Sequence, residues 1–387
     1  MKIDPFKPLF CYNNIEMFVS PPYDTLLDRE IQELRSRDHN ILQLFSEDGV
    51  SPSIRLQKWI KEGILREDSE NSFIVLQQRF LHNGERYDRI GVIGVIDISD
   101  KQTGLKPHEM TFSQSVEQRR KIFLEVGSQM EPLFVLTPEA SLERILFQFV
   151  SGNFPDMEFQ EPVGVLNRVY HMRDLERIKA VQAVLSGQTG IVADGHHRLK
   201  AIESINRDYH RNYRILAYVT SMFSNSIFLS GINRVIKKGP GAKDAINRLR
   251  SYFDLVPDKR PTKRAEITFY DGTYMALIPN KSGWELMGKM GLKPEAVTCV
   301  SDLLILKETL GVDTSPSKGQ VEFTVHDHMA IDAVDSGAAN FALLMPPWQK
   351  DQFISIVNSG TILPQKSTYF YPKIPAGMVL YRMKRDE

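Results

Sequence analysis

The chain has 387 residues, room for about two or three domains with substantial cores. It is 42% hydrophobic and 25% charged, as soluble globular proteins are, and Lys+Arg and Asp+Glu balance at 48 each, so no global basic field recruits nucleic acid. The two cysteines, Cys11 and Cys299, have no metal-ligand spacing and exclude a disulfide framework. No apolar stretch approaches the roughly 20 residues of a membrane helix, and Met1-Lys2-Ile3-Asp4-Pro5-Phe6-Lys7-Pro8 lacks the apolar core of a signal peptide. The expected location is the cytoplasm, with no membrane partner.

In chain order, the segment through Pro21-Pro22-Tyr23-Asp24 reads as extended, with Tyr23 and Asp24 as candidate cleft residues. Helices are expected at Asp28 to Arg37 and at Ser53 to Leu65, the second with Ile54, Trp59, Ile60 and Ile64 inward. Ser72 to Phe80 and Arg89 to Ile98 read as paired strands across a turn at Asn83-Gly84, and the nearly all-apolar second one as central. After a loop holding Pro107-His108-Glu109, Ser115 and Gln118 suggest a capping box for a helix to about Val126. A strand at Pro132 to Leu136, helices at Leu142 to Val150 and Leu175 to Leu185, and a strand at Tyr213 to Thr220 complete this half. Lys237-Lys238-Gly239-Pro240-Gly241 reads as a linker. Beyond it come a helix at Ala245 to Phe253, a hairpin of Ala265 to Tyr270 and Thr273 to Ile278, and a helix at Pro294 to Thr309. Strands at Gln320 to Val325, Phe341 to Met345 and Gly377 to Tyr381, with a helix at Trp348 to Asn358, end the chain. The mixed order points to an α+β fold rather than a doubly wound sheet.

One stretch carries the sharpest chemical signal. The apolar run Ile191-Val192-Ala193 ends in Asp194-Gly195-His196-His197-Arg198, and Leu199, Ile202 and Ile205 then mark a helix. Asp194 is the expected N-cap, with Gly195, His196 and His197 in the first turn. Backbone N–H groups there lack helical partners and the macrodipole adds positive charge, so the turn suits a phosphate. A capping Asp and a turn-forming Gly are common for structural reasons alone, but two adjacent histidines at a strand exit are not. In Lys106-Pro107-His108-Glu109, the proline fixes the approach of a loop and Glu109 is a candidate general base. Pro364-Gln365-Lys366-Ser367-Thr368 is a polar island whose lysine and hydroxyls suit a carboxylate, or simply form an exposed turn. Arg119 and Arg120 are further candidates for a phosphate, against the commoner solvated helix face. His326-Asp327-His328, read as strand, brings two ligands to one face without a third, so no structural zinc is expected.

These islands, in this order, resemble the ParB/sulfiredoxin-like superfamily in the form seen in free serine kinases. Asp194 to Arg198 looks like its phosphate-binding turn, and Lys106 to Glu109 like the segment with the catalytic glutamate. Pro364 to Thr368 is similar to its Pro-Lys-Thr-Thr substrate loop, with Gln365 intervening. Over nearly its whole length the chain more closely resembles the DUF1015 family, including Pro22-Tyr23-Asp24, Asn233-Arg234-Val235, Lys366-Ser367-Thr368 and Pro372-Lys373. The resemblance implies a ParB/sulfiredoxin-like nucleotide-binding catalytic domain with an N-terminal extension at 1–236. A C-terminal α+β domain at 237–387 would contribute the substrate loop and form a cleft with it. It further implies a kinase using ATP or ADP with Mg2+ on a small amino-acid acceptor, free L-serine first. Gly195, His196, His197 and Arg198 would cradle the donor phosphates, and Asp194 would hold the magnesium or orient the acceptor. Glu109 would take the hydroxyl proton, while Lys366, Ser367 and Thr368 would hold the acceptor carboxylate. Two rival readings are a nucleotide-binding switch or DNA-partitioning module of the same fold, and a metal-dependent hydrolase using His108, His196 and His197.

Overall fold

Where a strand run ends in two residues that accept positive φ, the chain can turn back on itself in a two-residue hairpin. Asn83 (φ 51°) and Gly84 (φ 82°) do this between Phe73–His82 and Glu85–Ile96, whose register runs from Ile74 opposite Ile93 to His82 opposite Glu85. The computed structural model describes residues 1–23, 26, 28–45, 48–99, 104–258 and 266–383, so Asp24 and Ala265 lie outside the described residues. The chain forms two compact units. The first comprises Met1–Pro107, Thr111–Phe228 and Pro372–Glu387, the second His108–Met110 and Leu229–Tyr371.

The first unit is built on a nine-stranded mixed sheet. Numbering the strands of the two large sheets in chain order, it contains β1 (Ile3–Asp4), β2 (Phe73–His82), β3 (Glu85–Ile96), β4 (Leu105–Pro107), β5 (Leu133–Thr137), β6 (Met157–Gln160), β7 (Leu166–Met172), β8 (Gly190–Asp194) and β9 (Ile215–Ser221). The order is β4-β8-β5-β9-β3-β2-β7-β6, with β1 added beside β3. The β8/β4 and β9/β5 pairs are parallel and the others antiparallel. Strand β3 is central, which is why Ile90 to Ile96 is fully buried. Phe73, Val75, Val92, Val135, Val192 and Ala217 share one core with Leu142, Leu146 and Phe149 of helix Ser141–Ser151, Ile178, Val181 and Leu185 of helix Leu175–Leu185, and Leu199, Ile202 and Ile205 of helix His196–Tyr209.

The second unit holds a six-stranded antiparallel sheet of β10 (Asn233–Ile236), β11 (Phe253–Asp258), β12 (Thr268–Tyr270), β13 (Tyr274–Pro279), β14 (Val321–Thr324) and β15 (Phe341–Leu344), ordered β11-β13-β12-β15-β10-β14. Both units mix helices and sheet, so the fold class is α+β as expected.

Several local expectations change. The division expected at 236/237 falls at 228/229, because Asn233–Ile236 is a strand inside the second sheet and the last residues belong to the first unit. Helix Ser113–Val126 starts two residues before the expected capping box and has no side-chain cap. In helix Pro52–Lys61, Leu56 and Trp59 are buried while Ile54 is 65% exposed, and Leu65 opens a strand instead. Strands β6 and β7 were not expected: β6 alternates buried Met157 and Phe159 with exposed Glu158 and Gln160 over only four residues, and β7 carries no strict alternation. The segment Pro294 to Thr309 is helical from Val297, but Val300–Thr309 winds as a π-helix. There Asp302 holds Arg234 in a fully buried two-pronged pair at 2.8 and 3.1 Å, which gives Asn233-Arg234-Val235 a structural task. His326 precedes helix Asp327–Asp335 rather than lying in a strand. The expected Gly377 to Tyr381 strand is reduced to Tyr381–Arg382, paired with Ser128–Gln129, and a single bridge of Leu380 to Leu9.

Candidate functional site

In the first unit, β8 delivers Asp194 through a register shift. Val192 faces Val135 on β5, yet the next partner, Phe134, faces Asp194, so Ala193 is an extra residue. Such a bulge re-aims the side chain that follows it. Gly195 then turns the chain at φ 96°, and helix His196–Tyr209 begins. Gly195 is the N-cap, and Asp194 is the last strand residue rather than the cap expected for it. A Cβ on Gly195 would lie 2.7 Å from Leu133 and 2.8 Å from the Arg198 guanidinium, so glycine is required for both conformation and space.

The Asp194 carboxylate is committed to two cations. Arg198 Nη2 donates to Oδ2 at 2.5 Å, and the Lys373 ammonium donates to Oδ1. Arg198 also donates from Nη1 to the Pro132 carbonyl at 2.8 Å and lies 3.9 Å from Glu131. Glu131 is paired with Arg119 at 2.9 Å, and the Arg119 guanidinium lies over the stacked rings of Tyr23 and Phe45. Arg120 pairs with Asp208 on the far end of the helix. Arg198 and His196 are both 7% exposed, so the expected open cradle is an ordered, mostly buried turn. His197 Nε2 accepts the Phe112 backbone N–H at 3.3 Å.

In the second unit, Glu109 and the 364–368 loop come together. Glu109 forms a parallel bridge with Leu363, flanked by His108 O accepting from Leu363 N–H and Met110 N–H donating to Leu363 O. Lys366, at φ 57°, turns the loop so that consecutive N–H groups converge on one atom. Glu109 Oε1 accepts from Ser367 N (3.1 Å), Thr368 N (3.0 Å) and the Thr368 hydroxyl (2.9 Å). Because that hydroxyl spends its single proton on the carboxylate, its oxygen accepts from His108 Nε2–H at 2.9 Å. His108 is fully buried with Phe353 edge-on to its ring. Ser367 is fully buried; its hydroxyl contacts Pro364 O and Thr298, and Trp348 Nε1–H donates to its carbonyl. Ser367 and Thr368 therefore orient Glu109 rather than stand open to an acceptor carboxylate, as the sequence had suggested.

Asp194 is also a poor metal seat. Both its oxygens are taken by cations, and among the described residues no group of three or more His, Cys, Asp or Glu side chains is placed to hold a metal ion.

Three groups escaped sequence reasoning. Lys373 was quoted only within a resemblance, and Glu131 not at all. Arg89, fully buried on β3, donates to Gln78 and to the Pro372 carbonyl (2.5 Å) beneath the rings of Phe134 and Tyr218. The available signal was a polar residue inside an apolar strand run, here Arg89 beside Ile90 and its cross-strand partner Gln78. Among the described residues, no helix is long and apolar enough to cross a membrane.

Known structures that resemble the chain do so distantly. A conserved hypothetical protein from Pyrococcus furiosus is 12% identical, with 74% of this chain and 93% of that one covered at a TM-score of 0.40. A free serine kinase in complex with AMP is 12% identical, with 72% and 86% covered and a TM-score of 0.40. SbnI with a C-terminal truncation, from Staphylococcus aureus, is 10% identical, with 76% and 90% covered and a TM-score of 0.44. No curated protein matches the sequence. The model of one family, described as "Protein of unknown function (DUF1015)", matches residues 3–303, most of the chain. The chain belongs to the DUF1015 family.

Proposed function

We propose that this protein is a phosphotransferase of ParB/sulfiredoxin-like type, moving a phosphoryl group from ATP or ADP to the hydroxyl of a small metabolite. Free L-serine, giving O-phosphoserine, is the first acceptor to test. The observation that carries the reading is the fixed Glu109 carboxylate, with three donors on one oxygen and a buried His108–Thr368 pair behind them. A solvated loop glutamate needs no such seat; a general base must be held in one orientation towards the proton it takes.

In the reaction, the acceptor oxygen attacks the terminal phosphorus of the donor and its proton passes to Glu109. The bond from that phosphorus to the bridging oxygen breaks, and ADP or AMP leaves. Transfer of this kind depends on positioning and charge neutralisation more than on covalent chemistry. Arg198, with the positive end of the dipole of helix His196–Tyr209, would supply part of that neutralisation. No step is assigned to a metal on Asp194, since its oxygens are already committed.

The test is phosphorus NMR of ATP or ADP with a panel of hydroxy amino acids, in the intact chain and in Glu109→Gln. Turnover should fall by roughly 10²–10⁴-fold in the variant while nucleotide affinity stays unchanged. Equal turnover in both removes the general-base role. A chain that binds nucleotide but phosphorylates no acceptor favours the nucleotide-binding switch instead.

A further inference from the structure

The first unit holds a cavity of about 260 Å³ where the chain start meets the strands Leu65–Glu67 and Tyr381–Arg382. None of the residues placed above with Glu109 or Asp194 lines it. Its apolar wall is Phe6 and Tyr381, both buried, with their rings edge to face at 5.7 Å. Four charged side chains complete the lining: Lys7, Glu67, Arg214 and Arg382. They stand on fixed backbone. Phe6 exchanges two backbone hydrogen bonds with Ser72, and Leu9 pairs with Glu67 and bridges Leu380, which holds Lys7 between them. Arg382 pairs with Ser128, and the Arg214 carbonyl accepts from Gln129 Nε2 at 2.6 Å. Asp4 is committed elsewhere: Oδ1 accepts from Gln182 at 2.8 Å, and Oδ2 faces Arg214 at 3.4 Å. Glu67 is not. Its Oε2 lies 3.5 Å from Arg382, but its Oε1 is shielded from solvent and meets no hydrogen-bond donor among the described residues. A shielded carboxylate oxygen without a donor is costly, so it calls for one supplied from outside the chain. Lys7 is exposed and forms no ion pair among the described residues.

We propose that this cavity binds a small zwitterion, a free α-amino acid with an uncharged side chain. Its ammonium would donate to Glu67 Oε1, its carboxylate would lie against Lys7 and Arg214, and its side chain would rest on Phe6 and Tyr381. The signs of the lining select this class. Glu67 repels a simple anion, and three cations repel a simple cation. Among the described residues no group of three or more His, Cys, Asp or Glu side chains is placed to hold a metal ion. A molecule that carries both charges meets both kinds of partner with charge-assisted hydrogen bonds. The volume lies just below the roughly 300–1,000 Å³ of pockets for drug-sized ligands, which suits a small metabolite. The inference stands independently of the phosphotransferase reading.

The experiment is calorimetric titration of the full chain with L-alanine, L-valine and L-leucine, none of which offers a hydroxyl to phosphorylate. At least one should bind. The matched amine and the matched carboxylate, each lacking the other charge, should then bind about tenfold more weakly or worse. Glu67→Gln keeps the size of the side chain and removes its charge, and should weaken the amino acid by about tenfold or more. Lys7→Met, at an exposed position, should weaken it by about threefold with the melting temperature unchanged, which guards against a folding defect in the glutamine variant. If none of the three amino acids binds, the proposal is wrong. If the carboxylate alone binds as tightly as the amino acid, the cavity takes an adventitious anion only and Glu67 holds no ammonium. If an amino acid binds the intact chain and Glu67→Gln equally well, it sits elsewhere in the chain and the assignment falls.

Discussion

Replacing Thr368 by valine keeps the shape of the side chain and removes one oxygen that two neighbours use. The Thr368 hydroxyl donates to Glu109 Oε1 at 2.9 Å, and its oxygen accepts from His108 Nε2 at 2.9 Å. A hydrogen bond to a charged group is worth about 1.5–3 kcal/mol, and stranding a buried donor costs about 1–3 kcal/mol. His108 is fully buried and Thr368 is 7% exposed, so water does not readily replace either partner. The two losses share one atom and do not simply add, which puts the expected destabilisation near 3 kcal/mol. Thr368→Ser keeps the hydroxyl and loses one methyl, for about 1 kcal/mol. Urea denaturation followed by tryptophan fluorescence is suited to the measurement, because Trp348 donates its Nε1–H to the Ser367 carbonyl beside the altered residue. Turnover should fall in Thr368→Val as well, by less than in Glu109→Gln, since the two backbone donors to Glu109 remain. If Thr368→Val lies within about 0.5 kcal/mol of the intact chain and no lower than Thr368→Ser, the hydroxyl does not organise Glu109.

Gly195→Ala should cost about 1–3 kcal/mol and weaken ADP binding, because its Cβ meets Leu133 at 2.7 Å and displaces the Arg198 guanidinium at 2.8 Å. Melting and calorimetric titration check it, and an alanine variant unaltered in both would mean that the turn tolerates a side chain. Burial pushes Glu161 up from 4.5 to about 7, so the folded chain retains its proton where the unfolded chain has lost it. Its favourable contribution is whole below about pH 4.5 and fades as pH rises through about 7, by at most about 3 kcal/mol and less for a half-buried group. Glu161→Gln should therefore flatten the fall in stability between pH 5 and 8, and urea midpoints with the same slope as the intact chain would contradict this.

Most of the fold was legible wherever the signal was local. Asn83-Gly84 marked its hairpin because a two-residue turn needs positive φ, Asp271-Gly272 marked a three-residue turn in which Gly272 takes φ 104°, and Leu175 to Leu185 showed its helix through an apolar period. What failed was phase and edge. In Pro52–Lys61 the count began from Ile54, yet the buried stripe runs through Leu56 and Trp59. Strand β7 does not alternate, because Asn167 serves a buried network with Gln78 and Glu161 while the adjacent Arg168 pairs with Glu158. The register shift at Ala193 has no composition of its own, so the true start of helix His196–Tyr209 lay one residue beyond the expected cap.

The candidate residues were legible for a different reason than their roles. Asp194, Gly195 and Glu109 stand out against apolar or proline-bearing neighbours, and that contrast is visible in a single sequence. A role depends on which partner arrives, and the partners come from far away: Lys373 to Asp194 over 179 positions, Thr368 to Glu109 over 259. Ser367 and Thr368 look like open donors in a polar island, but two N–H groups and a hydroxyl on one carboxylate oxygen are a seat for Glu109. Asp194 looks like a metal ligand until both its oxygens are found on cations. In each unit, then, an acidic residue is held by groups that sequence reading had reserved for a ligand, Arg198 on Asp194 and Ser367 with Thr368 on Glu109, because a single sequence shows the donor types but not the acceptor that reaches them first.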